Sequence, residues 1–138
     1  MIKVILDTNV FVAAYWAPSS ASARLIGACM DCVVQAQYTP QIRKEVEYVL
    51  RQIKADSRYM ARLEAFWDRA EEITPVPVKG VRTADPDDQK FLEAAMGSDT
   101  DYIVTNDAHL LLVGYIGRAE ILTPSSALKT IGTKPNNG

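Results

Sequence analysis

The chain is poor in the residues that several protein classes require. Two cysteines in 138 residues cannot build the disulfide framework of a small secreted domain, so a reducing cytoplasm is the expected compartment. One histidine leaves little nitrogen for a zinc site. No apolar run approaches the roughly 18 residues that a membrane span needs, and Met1 leads straight to Lys3 without the apolar core of a secretory signal. Positive charge is not in excess: 15 Lys and Arg face 17 Asp and Glu, a formal charge of −2. A protein that grips nucleic acid by bulk charge is excluded; an enzyme with its acids gathered in one site is not. Internal repeats are absent.

What is present reads as one globular domain over 1–131, with a polar tail from 132 to 138 expected to fray. Hydrophobic residues make up 48% and charged residues 23%, enough for a packed core. Val4, Ile5 and Leu6 after Lys3 form the continuous run of a strand buried on both faces. A helix over 22–31 carries Leu25, Ile26 and Cys29, and Cys32 to Tyr38 reads as a second strand. The Pro40-to-Lys54 helix bears a stripe of Ile42, Val46, Val49, Leu50 and Ile53. A further helix over 57–72 places Met60, Leu63, Phe66 and Trp67 toward the core. Ile73 to Val78, broken by Pro75 and Pro77, can be an edge strand at best. After a loop over 79–84, Asp85 caps and Pro86 opens a helix that runs to Met96 and stops at Gly97. A strand over 102–105, a short helix carrying Leu110 to Leu112, a strand over 120–122 and a helix over 124–131 follow. Alternating strands and helices predict an α/β fold with a mostly parallel sheet.

Four acids stand at telling positions in that pattern. Ligands of open α/β sheets collect at the carboxyl ends of strands, where Asp7 and Asp107 fall. Asp107 also suits a helix N-cap, and Asp7 a turn aspartate. On the 85–96 helix, Asp88 begins the stripe of Phe91, Leu92 and Ala95, while Asp87 points about 100° away. A capping arrangement with Asp85 is the plainer reading of Asp88. Glu45 borders the apolar stripe of its helix and Glu47 falls on the polar side. Carboxylates about 4 Å apart repel by several kcal/mol at an effective dielectric near 20, so their convergence makes sense around a hard cation. Oxygen ligands alone point to Mg²⁺ or Mn²⁺.

These residues carry a resemblance. Asp7-Thr8-Asn9-Val10 resembles the opening motif of the PIN-domain nucleases. Asp85-Pro86-Asp87-Asp88-Gln89-Lys90-Phe91-Leu92 and Val104-Thr105-Asn106-Asp107 resemble the third and fourth acidic motifs of that family. Glu45 matches the helical acid between the first and third motifs, with Glu47 as the alternative. Asn106 stands where many relatives carry glycine. The similarity covers residues 2 to 128, roughly, and the order of the motifs is more specific than any one of them.

The resemblance implies a three-layer α/β/α sandwich and an Mg²⁺- or Mn²⁺-dependent ribonuclease. It also implies a homodimer and the toxin role of VapC-like proteins, with a cognate antitoxin as partner. In that reading Asp7, Glu45, Asp88 and Asp107 are the catalytic acids and metal ligands, and Thr8, Asn9 and Thr105 are donors that hold them. Arg43, Lys44, Arg51, Lys54, Arg58 and Arg62 form a local basic excess that could track RNA phosphates or simply face solvent. Tyr15 and Trp16 could stack on bases or pack in the core.

The Cys29–Cys32 pair closes a helix and lacks a second pair, so no redox or metal role is read into it. His109 is read as a helix-surface residue. Asn9 stands where an aspartyl-phosphate hydrolase of the haloacid-dehalogenase type would need a second acid, and the acidic pair of a response-regulator receiver is absent. The remaining alternative is a catalytically degenerate module that binds RNA or protein.

Overall fold

The structure, a computed structural model, describes residues 1–78 and 86–132, the side chain of Asp87 excepted. The expected loop over 79–84, the Asp85 cap, the facing of Asp87 and the tail over 133–138 lie outside the described residues.

Strand β1 (Lys3–Leu6) lies inside the sheet, and Val4 and Ile5 are wholly buried. It pairs in parallel with β2 (Gln35–Tyr38) on one side and β4 (Tyr102–Val104) on the other. Strand β3 (Glu71–Glu72) extends the sheet beyond β2, and β6 (Ala119–Leu122) beyond β4. The two-residue β5 (Tyr115–Ile116) closes the far edge as an antiparallel partner of β6, turning through Gly117 at φ 58°. The order is β3-β2-β1-β4-β6-β5, so successive connections leave β1 in opposite directions. The crevice that such a reversal opens lies at the carboxyl ends of β1 and β4.

Helices cover the sheet: α1 (Thr8–Trp16), α2 (Ala21–Met30), α3 (Pro40–Gln52), α4 (Ser57–Arg69), α5 (Gln89–Met96), α6 (Ala108–Leu111) and α7 (Pro124–Gly132). The expected three-layer α/β/α sandwich is the observed architecture. The α3 stripe buries Ile42, Val46 and Leu50, and α4 buries Leu63, Phe66 and Trp67. Phe11 of α1 meets Phe66 and Trp67 at 5.2 and 5.5 Å between ring centroids, so one aromatic cluster ties the first helix to the fourth.

Several boundaries differ from the sequence reading, each for a local reason. Helix α1 was not expected: its apolar residues run almost all round it, leaving no amphipathic stripe to read. Strand β2 begins at Gln35 and not at Cys32, because Cys32 (φ 60°) closes α2. Its N–H bonds the Cys29 carbonyl and that of Val33 bonds Ala28, the double closure of a Schellman motif. Lys54 (φ 58°) ends α3 in the same way, two residues short of the expected limit. The edge strand is Glu71–Glu72 and not Ile73–Val78, since Pro75 and Pro77 cannot donate to a ladder. Helix α4 accordingly stops at Arg69. Pro86–Asp88 forms one 3₁₀ turn before α5, so the regular helix starts after Asp88.

Candidate active site

Backbone pairing brings the first two acids together. Leu6 is in register with Val104, and the Asp7 N–H donates to the Val104 carbonyl at 2.9 Å, so Asp7 and the Thr105–Asp107 segment leave the sheet side by side. Asp7 occupies the N-cap position of α1, yet its side chain caps nothing. It accepts instead from the Thr105 hydroxyl at 2.6 Å and from the Asn9 amide at 3.0 Å. Thr105 is wholly buried, and its oxygen also accepts from the Asp107 N–H at 2.9 Å. Asn9 Oδ1 accepts from the Asn106 N–H at 3.0 Å and completes the link between the two strand ends. Asp107 caps α6 through the His109 N–H, so capping and site placement coexist in one residue.

The other two acids arrive from helices. Glu45 of α3 accepts from the Thr8 hydroxyl at 2.5 Å, and its second oxygen lies 2.9 Å from the Lys90 ammonium. Asp88, 5% exposed, ends the 3₁₀ turn before α5. Asp7, Glu45, Asp88 and Asp107 line one open cleft of about 640 Å³ together with Lys90 and Phe91. Thr8, Asn9 and Asn106 also border it. Glu47 points elsewhere and pairs with Arg43 at 3.1 Å, so Glu45 is the helical acid of this cleft. As they stand, no three of the described His, Cys, Asp and Glu side chains are gathered tightly enough to grip one ion.

The electrostatics follow from burial. Withdrawal from water pushes the Asp7 carboxyl above its ordinary range, and the Thr105 hydroxyl and Thr8 backbone pull it back. Glu45 and Asp107 push it further up, the mark of like charges sharing a small space. At the other end of the strands, Lys3 holds Asp99 well below the carboxylate range across 2.6 Å, and that network takes no part in the cleft.

Lys90 went unread in the sequence. Nothing in its spacing marks a buried cation, because lysine on a helix ordinarily faces water. The six basic residues singled out for RNA do not line the acidic cleft. Arg43 is held by Glu47 and Glu64 over the Trp67 ring. Lys44, Arg51 and Lys54 are exposed, whereas Arg58 and Arg62 border a separate pocket of about 270 Å³ beside Tyr15 and Tyr59. Trp16 is exposed. His109 is exposed beside Asp107, as expected.

A mostly parallel sheet with a strand-order reversal, and four acids from two strand ends, one helix and one 3₁₀ turn opening on it, define a protein of the acidic-cleft α/β/α class. Residues 3–109 match the family profile of the PIN domain, and the chain belongs to that family. Among solved structures it is similar to the crystal structure of VapBC2 from Rickettsia felis bound to a DNA fragment from their promoter. That likeness has a TM-score of 0.59 at 16% identity and covers 87% of this chain and 97% of the other, which establishes a shared fold. No curated protein matches in sequence. No helix among the described residues is long and apolar enough to cross a membrane.

Proposed function

We propose that this chain is a divalent-metal-dependent endoribonuclease and the toxin of a toxin–antitoxin pair. The observation that carries the reading is the meeting of Asp7, Glu45, Asp88 and Asp107 in one cleft at the sheet's reversal point. Membership of the PIN family supports nuclease chemistry, and the likeness to a VapBC2 complex supports an antitoxin partner. An all-oxygen donor set suits Mg²⁺ or Mn²⁺, and the raised Asp7 carboxyl is what a cation would relieve. Asp7, Asp88 and Asp107 are the residues that would hold the ion, with Glu45 beside them. Bound there, a divalent ion would activate water and stabilise charge on the phosphate oxygens.

The chain's own residues prepare that site. Thr105 and Asn9 fix the Asp7 carboxylate, Thr8 fixes Glu45, and the α6 cap fixes Asp107. Glu45 orients the attacking water. Lys44, Arg51, Lys54, Arg58 and Arg62, but not the paired Arg43, guide the RNA backbone toward the cleft, with Tyr15 and Trp16 as stacking surfaces, and the working unit is a cytoplasmic homodimer. The test is incubation of pure protein with mixed single-stranded RNA. Cleavage with Mn²⁺ or Mg²⁺ that chelator abolishes supports the proposal, and intact RNA under all conditions refutes it in favour of a binding module.

A further inference from the structure

Among the described residues Lys90 is the one buried cation, 8% exposed, and it borders the same cleft as Asp7, Glu45, Asp88 and Asp107. Its ammonium lies 2.9 Å from Glu45 Oε2 and 4.9 Å from the centre of the Phe91 ring. A buried ammonium is costly unless it is paired, and here the Glu45 carboxylate and the Phe91 ring both lie against it. The Thr8 hydroxyl holds the other oxygen of Glu45. Both Glu45 oxygens are therefore engaged by the chain itself, whereas Asp7 and Asp107 are engaged by neutral donors.

We propose that Lys90 is a built-in countercharge that occupies the Glu45 side of the cleft, so that the site takes a single divalent ion, on the side of Asp7, Asp88 and Asp107. The inference rests on the metal-dependent reading above and deepens it. A fixed positive charge beside the acids offsets part of their mutual repulsion and opposes entry of a second cation. It makes Glu45 a positioned base for water and not a metal ligand. Lys90 is then a positioning residue: it sets how many ions bind and how tightly.

The experiment counts Mn²⁺ on the full chain by calorimetric titration and by paramagnetic resonance of the free ion, with no substrate present. Wild type and Lys90→Arg, which keeps the charge, should each bind one Mn²⁺. Lys90→Met removes the opposing charge and should bind Mn²⁺ at least about tenfold more tightly. Circular dichroism checks folding, and if Lys90→Met does not fold, Lys90→Gln, which keeps a donor to Glu45 without charge, makes the same comparison. Two ions on the wild type overturn the proposal, as does one ion bound with unchanged or weaker affinity after the charge is removed. Those results leave the metal-dependent reading standing. Absence of any Mn²⁺ binding by the wild type is a separate outcome that removes the metal reading and this inference together.

Discussion

Thr105→Val tests how the site is held, because it keeps the shape of a wholly buried side chain and removes one hydroxyl. That hydroxyl donates to Asp7 at 2.6 Å and accepts from the Asp107 N–H at 2.9 Å. A hydrogen bond to a charged group contributes about 1.5–3 kcal/mol, and the part-buried Asp107 N–H can be partly rehydrated. The net loss at pH 7 should be about 2–3 kcal/mol, a fall in Tm of about 6–12 °C for a domain of this size. The sign of the pH dependence follows from the same bond. The hydroxyl pulls the Asp7 carboxyl down, so its removal raises that carboxyl further above its already raised position. The variant's deficit therefore grows as pH rises through the Asp7 titration and shrinks in acid, where a neutral bond of about 1 kcal/mol is all that is lost. Chemical denaturation at pH 7 and at pH 4 checks both parts. A deficit below about 0.5 kcal/mol, or one equal at the two pH values, refutes the idea that this hydroxyl carries the Asp7 charge.

Asp7→Asn should raise the Tm of the metal-free protein at neutral pH, because a carboxyl raised on folding costs stability once pH exceeds its folded-state titration; the gain should vanish in strong acid, and Mn²⁺ should raise the Tm of wild type alone. An Asp7→Asn variant less stable than wild type at pH 7 would contradict this. Gly97→Ala should cost at least about 2 kcal/mol in denaturant unfolding, since the added carbon would lie 1.9 Å from the Thr74 carbonyl oxygen, a backbone atom. A neutral result would mean that the segment after β3 yields freely. Burial pushes the Cys29 thiol up to about 12 while Cys32 is exposed, so a thiol reagent should label one cysteine per folded chain and both in denaturant. Rapid labelling of both in the folded chain would show that α2 opens.

The parts of this architecture that sequence exposes are those where periodicity and punctuation agree. The α3 stripe, the Gly97 stop and the buried runs of β1 and β4 all announce themselves. Helix α1 does not, because Thr8–Trp16 is buried on several sides and lacks a polar face. The Schellman closures at Cys32 and Lys54 are equally hidden: both use left-handed residues that are neither glycine nor asparagine. For the site, strand ends and helical phase mark Asp7, Glu45, Asp88 and Asp107, which border one cleft, although Asp88 reaches it from a 3₁₀ turn and not from the regular helix. They do not reveal Lys90, whose burial depends on a tertiary ion pair between α5 and α3. Nor do they separate Arg43, spent on Glu47 and Glu64, from the exposed cations around it.

The most direct measurement is the rate of Mn²⁺-dependent cleavage of single-stranded RNA by Asp88→Asn beside wild type and Asp87→Asn, each verified as folded by circular dichroism. Asp88 is buried on the acidic cleft, and asparagine keeps its size while removing the charge that would hold the ion. The account predicts at least a hundredfold loss for Asp88→Asn, on the order of 3 kcal/mol of transition-state stabilisation, and a far smaller loss for Asp87→Asn. Full activity in Asp88→Asn, or a dead Asp87→Asn beside an active Asp88→Asn, would contradict it.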